Sequence, residues 1–518
     1  MKKEIVLMLN PKSASSEAEI KREAAKKLHI GVSKITALKV LRRSIDARKA
    51  NVKINLGVLV VYNEPAPKFE KPEFRFQNVS SKPEVIIAGA GPAGLFAALR
   101  LIELGKKPII FERGKEVSAR KIDIAKLTRE HILDPESNYC FGEGGAGTFS
   151  DGKLYTRSKK KGKNKRVLEI LQFHGAQEEI LTDAHPHIGT NILPRVIVNI
   201  RKNILQAGGE IHFNTRIDDL IIENEQIKGI KTASGEKVFA NALILATGHS
   251  SRNVYELLHK RKIALEAKAF AMGVRIEHPQ ALIDSIQYHC DSRSKYLPAA
   301  AYNMVSQIGN RGVYSFCMCP GGYIVPSATG PEEVVVNGMS PAGRNSAFAN
   351  AGMVIEVKLE DLKDYKEFGV LAGLKYQQKL EHLAWQNANK DQTAPAQRMV
   401  DFTENRFSGN IPDSSYYCGT ISSPMHEWLP EAISKRLKKA FQDFGHKSKG
   451  FFTNEAVILG VESRTSSPVR IPRNNETLEH IQIKGLFPAG EGSGYSGGIV
   501  SSAIDGQRCA EMAASLVD

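Results

Sequence analysis

Residues 83–114 read PEVIIAGAGPAGLFAALRLIELGKKPIIFERG, and the reading of this stretch decides the fold. Pro83 opens an apolar run, Val85–Ala88, with the length and composition of a buried parallel strand. Gly89, Ala90, Gly91, Pro92, Ala93 and Gly94 follow at once. The Ala- and Leu-rich stretch to Leu104 reads as a helix ended by Gly105. Pro108–Phe111 is a second strand, closed by Glu112 and Arg113. G-x-G-x-x-G therefore sits at the first turn of a complete βαβ unit. An acid lies 18 positions after Gly94, near the offset of a ribose-binding carboxylate.

The chemistry needs these residue types. Gly89 permits the tight turn, Gly91 lets the backbone approach a pyrophosphate, and Gly94 lets the helix pack on the strand. The helix N-terminus offers unpaired N–H groups and the positive end of its dipole to phosphates, with Pro92 and Ala93 in its first turn. A carboxylate at Glu112 accepts hydrogen bonds from a ribose and repels a 2′-phosphate. Strand, helix and acid in register favour an adenine dinucleotide over an ordinary glycine turn.

A chain of 518 residues has room for two to four domains, and 42% hydrophobic with 25% charged residues is a soluble, globular composition. No apolar run approaches the roughly 20 residues that span a bilayer. The start, MKKEIVLMLNPKS, is too short in its apolar part for a signal peptide. Six cysteines without framework spacing point to a reducing compartment, so the expectation is a cytoplasmic protein with no membrane partner. The net charge of +15 is concentrated. Residues 1–82 carry 18 Lys/Arg against 8 Asp/Glu, and Arg157–Arg166 adds seven bases, leaving the remainder near neutral. Such clusters bind nucleic acid or anionic cofactor tails, although most are solvated faces.

Residues 2–8 and 52–62 read as strands. Between them, Ser16 and Glu19 form a capping box opening one helix. Ser33 caps a second, whose Ile35, Leu38, Leu41 and Ile45 keep helical spacing and which carries Lys39, Arg42, Arg43 and Arg48. This gives a small basic α+β module over 1–63 and a proline-bearing linker over 64–82. A first part of the dinucleotide domain spans 83–265, a mixed α+β substrate domain 266–454, and the C-terminal part of the dinucleotide domain 455–518. Within the first part, 193–208 is a helix, and strands at 210–214, 217–223, 227–232 and 236–239 suggest a meander. Helices are expected at 361–390 and 430–445. Gly144, Gly145, Gly147 and Thr148 stand in FGEGGAGTFSDGKL, whose glycines suit backbone packed against a flat ligand. Gly147–Lys153 mimics the start of a P-loop, but Leu154 replaces the magnesium-binding hydroxyl, which argues against an ATPase. Asn241–Ala246 is a buried strand running into Thr247, Gly248 and His249. GLFPA at 485–489 runs into Gly490, Glu491 and Gly492, then Gly497, Gly498 and a small-residue helix from Ile499.

Together these three stretches resemble the FAD-dependent branch of the glutathione-reductase-like superfamily. More narrowly, FGEGGAGTFSDGKL, FCMCPGG (316–322), NGMS (337–340), ESRTSSPV (462–469) and PAGEGSGYSGG (488–498) are similar to the uncharacterised FAD-dependent dehydrogenases, also called NAD(FAD)-utilizing dehydrogenases. The resemblance implies FAD, and an oxidoreductase that moves a hydride between a small-molecule substrate and flavin N5. It places the N–H groups of Gly498 and Ile499 at the flavin N1/C2 edge. It sets Glu491 where an Asp usually binds the ribityl chain, a departure from the family pattern.

Only one dinucleotide fingerprint is present, so NADH or NADPH enters the expectation as a transient electron donor without a domain of its own. Arg464 is a candidate for holding an anionic substrate or the flavin edge, against a structural ion pair; Glu462 stands beside it, and His249 is a candidate acid or base. Cys317 and Cys319 are redox-active, metal-binding or a packed turn, and His185 and His187 lack further metal ligands, so no metal is assigned. The alternative from another class is a nucleic-acid-associated, RNA-modifying flavoprotein recruited through the basic module, which is given less weight. Oligomeric state and substrate are not in the sequence.

Overall fold

The computed structural model describes residues 1–69, 72–155 and 164–517. Strand β1 (Lys2–Leu9), helix α1 (Glu17–Leu28), strand β2 (Ile35–Asp46) and strand β3 (Lys53–Tyr62) make an antiparallel sheet in the order β1-β3-β2 with α1 against it. Ser16 caps α1, its hydroxyl accepting from the Glu19 N–H at 3.4 Å. The helix expected around Ile35–Ile45 is instead strand β2. Register shifts between Ile35 and Ala37 and between Val40 and Arg42 mark bulges. Each bulge offsets the two-residue alternation by one, so the apolar residues of a strand fall at helix-like spacing. Leu41 and Ile45 accordingly end on the exposed face. Lys39, Arg42 and Arg43 lie on this strand and Arg48 just beyond it, so there is no basic helix. Of the run Arg157–Arg166, positions 157–163 lie outside the described residues. The module is tied to the rest of the chain through Arg43: its N–H donates to the Thr182 carbonyl and its carbonyl accepts from the Ala184 N–H, both at 2.9 Å.

Strand β4 (Glu84–Ala88), helix α2 (Pro92–Glu103) and strand β5 (Lys107–Phe111) form the βαβ unit. A five-stranded parallel sheet is built on it in the order Leu486–Pro488, Leu243–Leu245, β4, β5, Glu210–His212. Glu210–His212 thus joins the parallel sheet, and the meander contains only Ile217–Glu223, Gln226–Thr232 and Lys237–Phe239. The C-terminal helix Ile499–Ala514 packs along α2. The contact is backbone-close: a Cβ on Gly506 would lie 2.0 Å from the Ala93 carbonyl oxygen, and one on Gly94 would lie 1.9 Å from the Gly89 carbonyl oxygen. Helix α2 is therefore wedged between the sheet and the last helix, and glycine is required on both sides.

The second domain is a seven-stranded sheet in the order Val305–Ile308, Arg311–Cys319, Phe348–Val357, Phe270–Pro279, Val457–Glu462, Ala394–Arg398, Thr420–Ser422. Val457–Glu462 is an interior strand of this sheet, so the boundary expected at 455 falls after Glu462. The helix expected over 361–390 is α-helical only from Ala372 to Gln386. The preceding turns, Leu359–Leu371, are broken at Leu362, Tyr365 and Gly369, where Gly369 has φ 53°. The expected helix at 430–445 spans Glu431–Lys447. The architecture is α/β overall: a Rossmann-like domain, a sheet-rich second domain and the small N-terminal module. Among the described residues, no helix is long and apolar enough to cross a membrane.

Replacing Gly506 with Val is expected to destabilise the protein by about 1–3 kcal/mol or more through overpacking against Ala93. A lowered thermal midpoint in differential scanning calorimetry checks this, and an unchanged midpoint would contradict the wedged-helix packing.

Candidate functional site

A cavity of about 360 Å³ runs over the C-terminal ends of the parallel strands, where open α/β sheets bind ligands. One end is lined by Gly89, Gly91, Pro92, Ala93, Glu112 and Arg113, and the middle by Gly145, Gly147, Ala246, Thr247 and Gly248. Gly490, Glu491, Gly497, Gly498 and Ile499 close the side nearest the last helix. The second domain supplies the far wall with Phe316, Cys317, Cys319, Asn337 and Gly338.

At the first end, Glu112 is fixed by backbone donors. Its Oε2 accepts from the Ala90 N–H at 2.9 Å, and its Oε1 accepts from the Gly114 N–H at 2.9 Å and the Gly142 N–H at 3.0 Å. Charge-assisted bonds of this kind hold a carboxylate in one orientation. Arg113 stacks its guanidinium over the Phe141 ring at 4.0 Å and pairs with Glu136 at 2.8 Å. Beside it, α2 begins at Gly91 with no side-chain cap. The N–H groups of its first turn therefore have no partner within the helix and border the cleft.

The glycine-rich loop is held from beneath. Buried Arg120 donates to the carbonyls of Asn138 at 2.8 Å, Tyr139 at 3.0 Å and Glu143 at 2.7 Å. Burial alone lowers its pKa to about 10, against the pull of Glu112. Glu143, raised by its own burial, accepts from the Val117 N–H and pairs with Arg201 at 3.0 Å. The Gly144 N–H donates to the Ala90 carbonyl at 2.8 Å, which lays the loop against the start of α2. Gly144 and Thr148 do not line the cleft. A Cβ on Gly144 would meet the Thr148 Oγ1 at 1.9 Å, and the Thr148 hydroxyl donates to the Glu143 carbonyl at 2.7 Å. Gly94 is likewise packed beneath the turn. Gly147–Lys153 joins no strand to a helix and lines the cleft as an irregular loop.

Two residues that the sequence reading did not single out hold the C-terminal motif. Arg473 donates to both oxygens of Asp505, at 2.6 and 3.1 Å, and to the Pro488 carbonyl at 2.6 Å. Asp505 in turn accepts from the Gly490 N–H at 2.9 Å. The charged pair is separated by 32 residues and falls in no motif, so only burial in the fold marks it. Gly492 lies so near Gly248 that a Cβ would sit 2.5 Å from its carbonyl oxygen, interlocking the two glycine segments. Gly498, at φ 156°, caps the last helix. Gly248, Gly497 and Gly498 all face open space: a Cβ on any of them would meet nothing within 4 Å. Glu491 faces the cleft, and burial pushes its carboxyl up to about 7, with Lys268 pulling the other way.

The catalytic candidates separate. Arg464 touches the cleft, but its guanidinium is spent on Glu381 at 2.9 and 3.1 Å, Glu333 at 2.7 Å and Thr329 at 2.8 Å. It is a structural ion pair rather than a free anion holder. Glu462 does not line the cleft; it is buried and paired with Arg275 at 2.8 Å. His249 does line it, and burial beside Arg464 lowers its imidazole to about 4. Its Nε2 lies 3.1 Å from the Arg464 carbonyl, which fixes the proton on that nitrogen and leaves a neutral ring. His187 Nε2 bonds the Ala342 carbonyl at 3.1 Å, and His185 packs on Tyr155. Among the described residues, no group of three or more His, Cys, Asp or Glu side chains is placed to hold a metal.

Family models match three segments of the chain, up to residue 465. One described as pyridine nucleotide-disulphide oxidoreductase covers 83–263, and one described as FAD-dependent protein, C-terminal domain-like, covers 269–465. A domain of unknown function covers 1–61. An uncharacterized protein of Clostridium beijerinckii is 39% identical over 513 residues, 95% of each chain. The chain belongs to an FAD-dependent oxidoreductase family. More distantly, it is similar to protein FixC of Escherichia coli K12, 23% identical over 39% of this chain and 45% of that one. A solved structure of a geranylgeranyl bacteriochlorophyll reductase-like protein from Thermoplasma acidophilum aligns at 12% identity and a TM-score of 0.36, over 84% of this chain and 79% of that one. FAD is the family's cofactor, and the cleft fits it: a fixed acid at one end, two helix N-termini facing inward, and open space beside Gly248, Gly497 and Gly498.

The Glu491 shift carries a sign. An acid raised by burial binds its proton more tightly in the folded chain, so this group favours folding below its unfolded value of 4.5 and loses that contribution as pH rises to about 7. Glu491→Gln is therefore expected to stabilise the FAD-free protein at pH 8 by on the order of 1–3 kcal/mol and to leave it unchanged at pH 4. Urea midpoints of both proteins at the two pH values check this, and equal midpoints at pH 8 would contradict it.

Proposed function

We propose that FAD lies along the whole cleft and that the protein moves a hydride between a small-molecule substrate and the flavin, with NADH or NADPH as the transient electron donor. In this reading Glu112 takes the adenosine ribose and the first turn of α2 takes the pyrophosphate. Gly145–Gly147 and the start of the helix at Ile499 flank the flavin ring. The observation that carries the proposal is the continuity of one cleft from Glu112 to the second domain's strand Arg311–Cys319. A ligand that spans it ends against residues of a different domain, where a substrate can meet it.

When bound, FAD supplies a two-electron acceptor and donor. The chain's own residues supply the rest. With FAD held here, the N–H groups and dipole of the helix beginning at Ile499 would offset negative charge on the flavin. Glu491, with its carboxyl near 7, would hold or release a proton in the cleft wall at neutral pH. His249, neutral and bonded to the Arg464 carbonyl, orients the wall next to Thr247 and Gly248. The Arg464–Glu381–Glu333–Arg252 network keeps the two domains in register across that wall, with Arg252 bonding both acids at 2.6 Å. Phe316 and the Gly338 backbone line the substrate end and exclude water. With a single dinucleotide fingerprint, the nicotinamide has no domain of its own and would share this cleft.

Purified protein is expected to be yellow, and under anaerobic conditions NADH or NADPH is expected to bleach its flavin band. A flavin that stays oxidised with both nicotinamides would overturn the donor assignment. A colourless protein that FAD cannot reconstitute would overturn the reading as a whole.

A further inference from the structure

We propose that Cys317 and Cys319 form a redox-active dithiol at the substrate end of the cleft, a second two-electron centre that exchanges electrons with the flavin and with small disulfides or dithiols. The inference rests on the flavin reading of the cleft. Both cysteines line the cavity, and Cys317 is exposed within it. Cys317 has φ 44°, the left-handed region that a non-glycine residue rarely takes, at the register shift that follows Phe316. This kink turns the chain back on itself, so the Cys319 thiol donates to the carbonyl of Cys317 at 3.3 Å. The Cys319 sulfur therefore lies against the backbone of Cys317, in the same wall of the cavity.

Two cations face the Cys319 sulfur. Lys153 Nζ lies 3.6 Å and Arg275 Nη2 3.7 Å from its sulfur. Arg275 is otherwise satisfied by Asn350 and Glu462, each at 2.8 Å, and by the Cys317 carbonyl at 2.8 Å. Lys153 is not: its nearest carboxylate, Asp151, is 3.7 Å away and is already engaged by Arg344 at 2.9 Å. The ammonium thus faces the Cys319 sulfur. Gly338 makes room for the arrangement, since a Cβ would meet Arg275 Nη2 at 2.1 Å. The exchange balances simply. Two S–H bonds are lost and one S–S bond forms between Cys317 and Cys319, while two electrons and two protons pass to the oxidised flavin. The reverse flow reopens the disulfide, and the resulting dithiol reduces an incoming disulfide to two thiols by exchange.

The FAD-loaded protein is oxidised with diamide, desalted, and titrated anaerobically with dithionite while the flavin band is followed. The wild type is expected to take up four electrons per FAD, with a peptide spanning 317–319 two mass units lighter before titration than after. Cys317→Ser and Cys319→Ser are each expected to take up two, with unchanged FAD content. Wild-type uptake of two electrons by a protein carrying its full FAD, with no mass shift in that peptide, would overturn the dithiol while leaving the flavin reading intact. Four electrons in both variants would also overturn it, placing the extra pair elsewhere. Absence of FAD from the protein would overturn the flavin reading, and this inference with it.

Discussion

The structure depends on the close packing of α2 between two backbones. On one side, the Gly89 carbonyl sits where a side chain on Gly94 would be; on the other, the Ala93 carbonyl sits where a side chain on Gly506 would be. These contacts join residues about four hundred positions apart into one layered unit. They aim the N-terminus of α2, and that of the last helix, into the same cleft. Neither contact contributes much by itself, since a helix crossing is stabilised by the sum of many small dispersion terms. Their importance is geometric: both helices carry glycine where the backbones touch, so no larger residue is accommodated without moving a helix N-terminus away from the ligand.

Around this layered unit, buried charge acts as scaffolding. Arg120 beneath the glycine loop, Arg473 with Asp505 beneath the C-terminal motif, and Arg464 with Glu381 between the domains each satisfy several acceptors at once. Each would cost far more to leave half-paired than it contributes whole, which makes such groups specifiers of a single loop geometry rather than sources of stability. The same logic explains why the arginine that seemed suited to a substrate anion is not available to one. A guanidinium shared by two buried carboxylates has no donor to spare. Among the cations at the substrate end, Lys153 is held less tightly than Arg275 and Arg344, and its neighbour is a cysteine.

The second domain contributes less through its own chemistry than through its position. Its seven-stranded sheet brings the Cys317–Cys319 kink and the Asn337–Gly338 turn to the far end of a cleft whose other wall belongs to the dinucleotide fold. Val457–Glu462 is an interior strand of that sheet, and Arg464 and Thr465 just beyond it line the cleft, so the chain passes from the sheet core to the ligand wall within a few residues.

Much of the dinucleotide fold was legible because its signals are local: glycine spacing, a short apolar strand, an acid at a fixed offset, a small-residue helix. The turn at Gly89–Gly94, the acid at Glu112, the strand leading into Thr247 and Gly248, and the start of the last helix at Ile499 all follow from residue type and spacing, since each reflects a backbone requirement that only certain residues meet. Tertiary structure decided what depends on partners far away in sequence. Strand β2 was hidden because bulges against β3 gave a strand the periodicity of a helix. Glu210–His212 left the meander because β5 offered it an open edge. Arg464 and Glu462 lost their catalytic candidacy to buried counterions, and Lys153 gained prominence because its counterion was already taken. Pairing, burial and competition for partners are properties of the folded whole, and sequence spacing carries no record of them.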